Sequence, residues 1–141
     1  MMFHQWALSP NSKTSDKFTT PIKSIYFHSI KYDGNCLYLW IGDSNCKMEN
    51  LSCAMQTNYS SNPLATELIQ VNSEQTTGSN PSSDLATKLS KRLNKQVFVS
   101  LNVPLESAEF NQFNDIEGSL SAQQLVERRL FEEIKANPDK F

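Results

Sequence analysis

Histidine, cysteine and glycine are all scarce in this chain, and each shortage removes a class of chemistry. The two histidines, His4 and His28, form no HxxxH pair. The three cysteines, Cys36, Cys46 and Cys53, form no CxxC pair. Zinc sites draw on such paired ligands, so no metal is expected. Four glycines make neither GxxxxGK[ST] nor GxGxxG, so no loop is built to cradle phosphate and no cofactor is expected. Positive charge is also short: 13 Lys and Arg stand against 15 Asp and Glu, a formal net charge of −2. A phosphate backbone calls for a basic footprint, so nucleic acid is not the expected partner. Apolar runs stay short of the roughly 18 residues a membrane helix requires, so no membrane partner is expected. The opening MMFHQWALSPNSK lacks a basic region followed by an apolar one, so no secretory leader is expected. An odd number of cysteines without a leader implies free thiols in a reducing compartment. The expected location is the cytoplasm, with the nucleus open as well.

A length of 141 residues suits one domain, and a folded chain of that size buries roughly 68–70% of its unfolded surface. The apolar share of 38% is low, and Ser, Asn, Gln and Thr fill the gap, which implies long polar loops around a modest core. Residues 1–19 carry no apolar period and read as a flexible arm. IKSIYFHSIKY at 22–32 has strand composition, Asp33-Gly34 signals a hairpin turn, and CLYLWIG at 36–42 reads as a buried strand. ENLSCAMQT at 49–57 suits strand or short helix equally. Asn62-Pro63 reads as a break, LATELIQV at 64–71 as a strand, and 72–82 as a polar loop.

A helix follows over about 83–94. Ser82 or Ser83 would cap it, Leu85, Ala86, Leu89 and Leu93 share one face, and cations gather late. QVFVSLNV at 96–103 is the clearest strand. LESAEFNQFNDIEG at 105–118 reads as an irregular insertion. A second helix spans about 121–137, with Ser121 and Gln124 as a capping box and Leu120 and Leu125 as a staple. Its stripe is Ala122, Leu125, Val126, Arg129, Leu130 and Ile134, and Pro138 ends it. Strands, helix, strand, helix predict an α+β fold with a mostly antiparallel β-sheet and two α-helices.

Side chains alternate across a strand, which separates two faces. Leu37, Leu39 and Ile41 join Val97, Val99 and Leu101 on an aliphatic face that suits packing under both helices. Cys36, Tyr38 and Trp40 join Phe98, Ser100 and Asn102 on the other, where aromatics mix with small polar groups as in interface cores. A partner subunit meets that face, or the chain's own loops cover it; the residues leave both open. Tyr38, Trp40, Phe98 and Ser100 are the candidate dimer face.

Catalytic candidates are thin. His28 and Cys36, across the hairpin, are the one Cys-His pair to weigh, and neither an orienting carboxylate nor an oxyanion site accompanies them. No catalytic residue is assigned and no enzyme is expected. DSNCKME at 43–49 lacks the glycine and glutamate of a calcium loop and reads as a turn. The cluster Lys88, Lys91, Arg92 and Lys95 suits an anionic partner or a solvated helix end. Arg128-Arg129-Leu130-Phe131 resembles a short docking motif, but it sits in a helix with Leu130 inward. The sequons at Asn50 and Asn58 are expected to go unused.

FHSIKYDGNCLYLWIGD at 27–43, NLSCAM at 50–55, LATKLSKRLNKQVFVSLN at 85–102 and LVERRLFEEIKANPDKF at 125–141 resemble, in order, the proteasome assembly chaperone 4 family. The resemblance makes 20–141 one proteasome-assembly-chaperone-like domain after the arm, with the N-terminal arm and the 103–118 stretch departing from the family pattern. It implies a non-catalytic chaperone without a cofactor. Such a chaperone pairs as a heterodimer with proteasome assembly chaperone 3, binds 20S proteasome α-subunits and orders the α-ring before β-subunits join. On that implication Lys91, Arg92 and Lys95 become the candidate α-subunit contact. The alternative is a generic heterodimeric α+β adaptor for another complex.

Overall fold

A computed structural model describes residues 1–8, 24–71, 80–103 and 122–141. Six strands form one sheet: β1 (Met2–Leu8), β2 (Ile25–Tyr32), β3 (Cys36–Gly42), β4 (Asn50–Thr57), β5 (Ser60–Gln70) and β6 (Gln96–Asn102). Their spatial order is β1-β2-β3-β6-β4-β5. The β3–β6 pair is parallel and the other neighbours are antiparallel, as the expected α+β class requires. Helices α1 (Pro81–Leu93) and α2 (Ala122–Ala136) and a closing 3-10 turn (Pro138–Lys140) are the other elements among the described residues.

Local chemistry explains most boundaries. The β2–β3 hairpin turns where Gly34 has φ 92° and Asn35 φ 66°, backbone that glycine and asparagine tolerate best. Asn94 ends α1 in the left-handed region, at φ 52° and ψ 46°, another position where asparagine serves. The two turns are tied together, since Asn35 Nδ2 donates to Asn94 O at 2.9 Å. At the other end of α1 the cap is Asn80, not Ser82 or Ser83. Its side chain accepts from Ser82 N at 3.1 Å, which places Pro81 at the first helical position where its missing N–H costs nothing. Ser82 is instead buried, and its hydroxyl meets Ser52 Oγ of β4 at 2.7 Å.

Three further expectations change. The ambiguous 49–57 segment is strand β4, because Ser52 and Ala54 are buried toward the core in register with Val99 and Val97 of β6. Asn62-Pro63 does not break the chain but lies inside β5. An outermost strand tolerates proline, which has no N–H to offer a neighbour. The first residues of the expected arm, Met2–Leu8, form edge strand β1, held by β2 and by Trp6 stacked on Phe27 at 5.0 Å between centroids. Polar neighbours masked an alternation in which His4, Trp6 and Leu8 point inward. The 9–19 part of the arm, the 105–118 insertion, Leu120 and the Ser121 cap lie outside the described residues.

One core unites the aliphatic sheet face with both helices. Leu37, Leu39, Ile41, Val97, Val99 and Leu101 pack with Leu85, Ala86 and Leu89 of α1 and Leu125, Val126, Leu130 and Ile134 of α2. Truncating such a side chain to alanine costs about 2–5 kcal/mol where it leaves a cavity. The core also takes Phe141, which follows the closing turn and is 2% exposed. Leu130 is buried, which removes the Arg128–Phe131 segment from use as an extended docking motif.

Candidate functional site

Helices pack on one sheet face, and among the described residues none lies on the other. The register builds that open face in rows. Phe3, Ile30, Tyr38, Phe98, Cys53 and Thr66 form one continuous row across all six strands. A second row runs Gln5, His28, Trp40, Ser100. Neither row holds an Asp, Glu, Lys or Arg. Burial lowers the pKa of His28, burial and then Tyr32 raise that of Tyr38, and burial and then Cys53 raise that of Cys36. At neutral pH these two rows are therefore uncharged, and they carry the rings of Phe3, Tyr38, Phe98 and Trp40.

The four candidate dimer-face residues divide in two. Tyr38 and Phe98 are cross-strand partners, half-buried and facing outward. Trp40 and Ser100, also partners, are sealed within the chain. The Trp40 indole folds over Gly42, where an added Cβ would sit 2.3 Å from Cζ2, and Nε1 donates to Lys47 O at 2.9 Å. Ser100 Oγ donates to Asn50 O at 2.7 Å and accepts from Asn102 Nδ2 at 2.8 Å. Both are thus spent on internal bonds, and alternation alone could not show that the 43–50 segment returns over them. The signal available was Gly42, two residues past a tryptophan, where the missing side chain leaves room for the ring.

The basic candidates also separate. Lys95 is half-buried and its amine donates to the Phe141 backbone oxygen, so it holds the chain end down. Burial and then Lys31 lower its pKa. Lys91 and Arg92 are exposed. Lys91 donates to Asn62 Oδ1 at 3.1 Å, and the Arg92 guanidinium lies 4.7 Å from the Phe131 ring centroid. Lys88 is engaged with Glu127 at 2.7 Å.

Nucleophile chemistry finds no geometry. His28 lies opposite Trp40 and Cys36 opposite Tyr32, four residues apart along the ladder, which is about 13 Å. The 43–49 segment is a turn, closed by Cys46 N donating to Asp43 O at 3.2 Å with Cys46 at φ 52°. Among the described residues, no three of His, Cys, Asp and Glu gather as metal ligands, and no helix is long and apolar enough to cross a membrane.

The described residues thus form a two-layer α+β frame whose open sheet face carries aromatic side chains. The proteasome assembly chaperone 4 family matches residues 24–103. Proteasome assembly chaperone 4 of Homo sapiens is 34% identical over 117 residues, 83% of this chain and 80% of that protein. The Mus musculus protein of the same name is 32% identical over the same shares. A solved chain from a chaperone complex for yeast 20S proteasome assembly has the same fold at a TM-score of 0.57. It is 11% identical, with 96% of this chain and 98% of that one covered. This chain belongs to the proteasome assembly chaperone 4 family. The resembling segments at 27–43, 50–55 and 85–102 all fall inside the matched span.

Proposed function

We propose that this chain is a non-catalytic cytoplasmic chaperone of 20S proteasome assembly, pairing with proteasome assembly chaperone 3 and promoting α-ring formation. The observation that carries the reading is the uncharged open face with Tyr38 and Phe98 at its middle, in a chain of the proteasome assembly chaperone 4 family. Burying such a face against another sheet removes apolar area from water without stranding a charge, which is what stable pairing demands. The yeast neighbour supports the scaffold, since it comes from a complex described as a chaperone for 20S proteasome assembly.

The mechanism is differential binding. The pair favours an α-ring intermediate over competing assemblies and leaves when incoming subunits clash with it. Lys91 and Arg92, exposed at the end of α1 on the helix side, are the proposed α-subunit contact, while Lys95 serves the chain end. Affinity capture from cell extract with mass spectrometry tests the reading. Recovery of proteasome assembly chaperone 3 with α-subunits and without mature β-subunits is expected. Recovery of an unrelated complex instead would make the chain a generic adaptor. Reversing charge at Lys91 and Arg92 together should weaken α-subunit capture and leave the chaperone pair intact.

A further inference from the structure

We infer that the β4–β5 hairpin, through Met55, Leu64 and Ile69, is the anchor by which the open face grips the sheet of the partner chaperone. This rests on the pairing reading above. Exposure across the face is uneven. In its middle Trp40 and Ser100 are sealed and Tyr38 and Phe98 are half-covered by their neighbours. At the β4–β5 end Leu64 is 60% exposed, and Met55 and Ile69 are each 42% exposed.

These side chains form one strip. Met55 pairs with Leu64 and Leu51 with Ile69, on the same face as Cys53 and Thr66. The strip carries no charge, and Met55 supplies an adaptable thioether. Irregularities at Leu51/Ser52 and Met55/Thr57 interrupt the pairing at either end of the strip. Such bulges increase local twist and re-aim side chains. Water contact at three large apolar side chains gathered on one hairpin is unrealised burial, and burial of that kind concentrates binding energy.

Size identifies the occupant. Six strands about 4.8 Å apart and about seven residues long give a face of roughly 29 by 23 Å. That is roughly 650 Å², close to the ~800 Å² each partner contributes to an interface of ordinary size. The hairpin alone offers about a third of it, too little to hold a lone extended peptide firmly. A second sheet face, laid over the rows that the 43–50 segment leaves open and fastened at the hairpin, fits that extent and the absence of charge within those rows.

Leu64→Glu with Ile69→Glu tests the anchor in the full-length chain, with affinity for purified proteasome assembly chaperone 3 measured by calorimetry. Met2→Glu is the control, an apolar side chain 43% exposed in the same sheet but on the face that pairs with Lys31 and Leu37, away from the open one. The double variant should raise Kd at least about 30-fold, the loss expected when hot-spot residues go. Met2→Glu should change it less than about threefold. Where the charged pair does not fold, Leu64→Ser with Ile69→Ser should still raise Kd about tenfold.

A double variant that binds as wild type does, or a control that loses as much, overturns the anchor and leaves the pairing intact. Wild-type chain that does not bind the chaperone at all overturns the pairing and the anchor together. If the double variant only dissociates a wild-type self-dimer and keeps its affinity for the chaperone, the strip serves a second copy, and the inference falls.

Discussion

Replacing Phe141 with alanine tests how far the end of the chain belongs to the core. The ring is 2% exposed and stands edge-on to Trp6, with centroids 5.5 Å apart at 79°, and to His4, at 5.9 Å and 88°. A buried phenylalanine covers about 150–250 Å², of which truncation to alanine removes over half, so roughly 120 Å² at 25 cal/mol per Å² gives about 3 kcal/mol. Measured Phe→Ala losses in cores, about 3–5 kcal/mol, bracket that figure from above, and a chain end can collapse more easily than a core centre. The Lys95 bond to the Phe141 backbone oxygen remains available, so the change isolates the ring. Urea unfolding followed by circular dichroism should show about 3 kcal/mol lost, or roughly 10 °C in Tm for a domain of this size. Hydrogen exchange should accelerate in β1, whose Trp6 loses its cover. Phe141→Leu should recover most of the loss. A Phe141→Ala variant within about 0.5 kcal/mol of wild type would refute the seating of this ring, because surface changes fall in that range.

Gly42→Ala should cost about 1–3 kcal/mol, since its Cβ meets the Trp40 ring and the ring is held by its bond to Lys47 O. Trp40→Phe removes the clashing Cζ2, so the double variant should lose less than the two single changes summed, which a denaturation cycle would measure. His28 has its pKa lowered below 6.5 by burial, so the unfolded chain binds more protons as pH falls. Its contribution to stability is present above about pH 6.5 and is lost as pH drops toward its folded value. His28→Gln should therefore lose less stability between pH 7.5 and 5.5 than wild type. An equal loss would assign the pH dependence elsewhere. Asn80→Ala should cost about 0.5–2 kcal/mol by stripping the α1 cap, and more than Ser83→Ala at the same helix end.

Much of the frame was legible because local signals agreed with the fold. Asp33-Gly34 made the hairpin, the 3.6-residue stripes placed both helices, and alternation in 36–42 and 96–103 separated the core face from the open one. Those are properties of neighbours in sequence: a period, a turn residue, a dipole-matched helix end. Family resemblance in 27–43, 50–55 and 85–102 was legible as well, and those segments lie inside the span that matches the family.

Long-range placement was not legible. Met2–Leu8 is a strand because Phe27 and Phe141 receive Trp6, and neither is near it in sequence. Trp40 and Ser100 alternate correctly onto the open face, yet the 43–50 segment folds back and takes their polar atoms. Lys95 belongs by sequence to a basic cluster, but 46 residues later the chain end claims its amine. Met55, Leu64 and Ile69 became a single apolar strip only when β4 and β5 paired at the sheet edge. Periodicity by itself determined which way each side chain faces. Tertiary structure alone decided what stands opposite it, because burial depends on partners the local sequence does not contain.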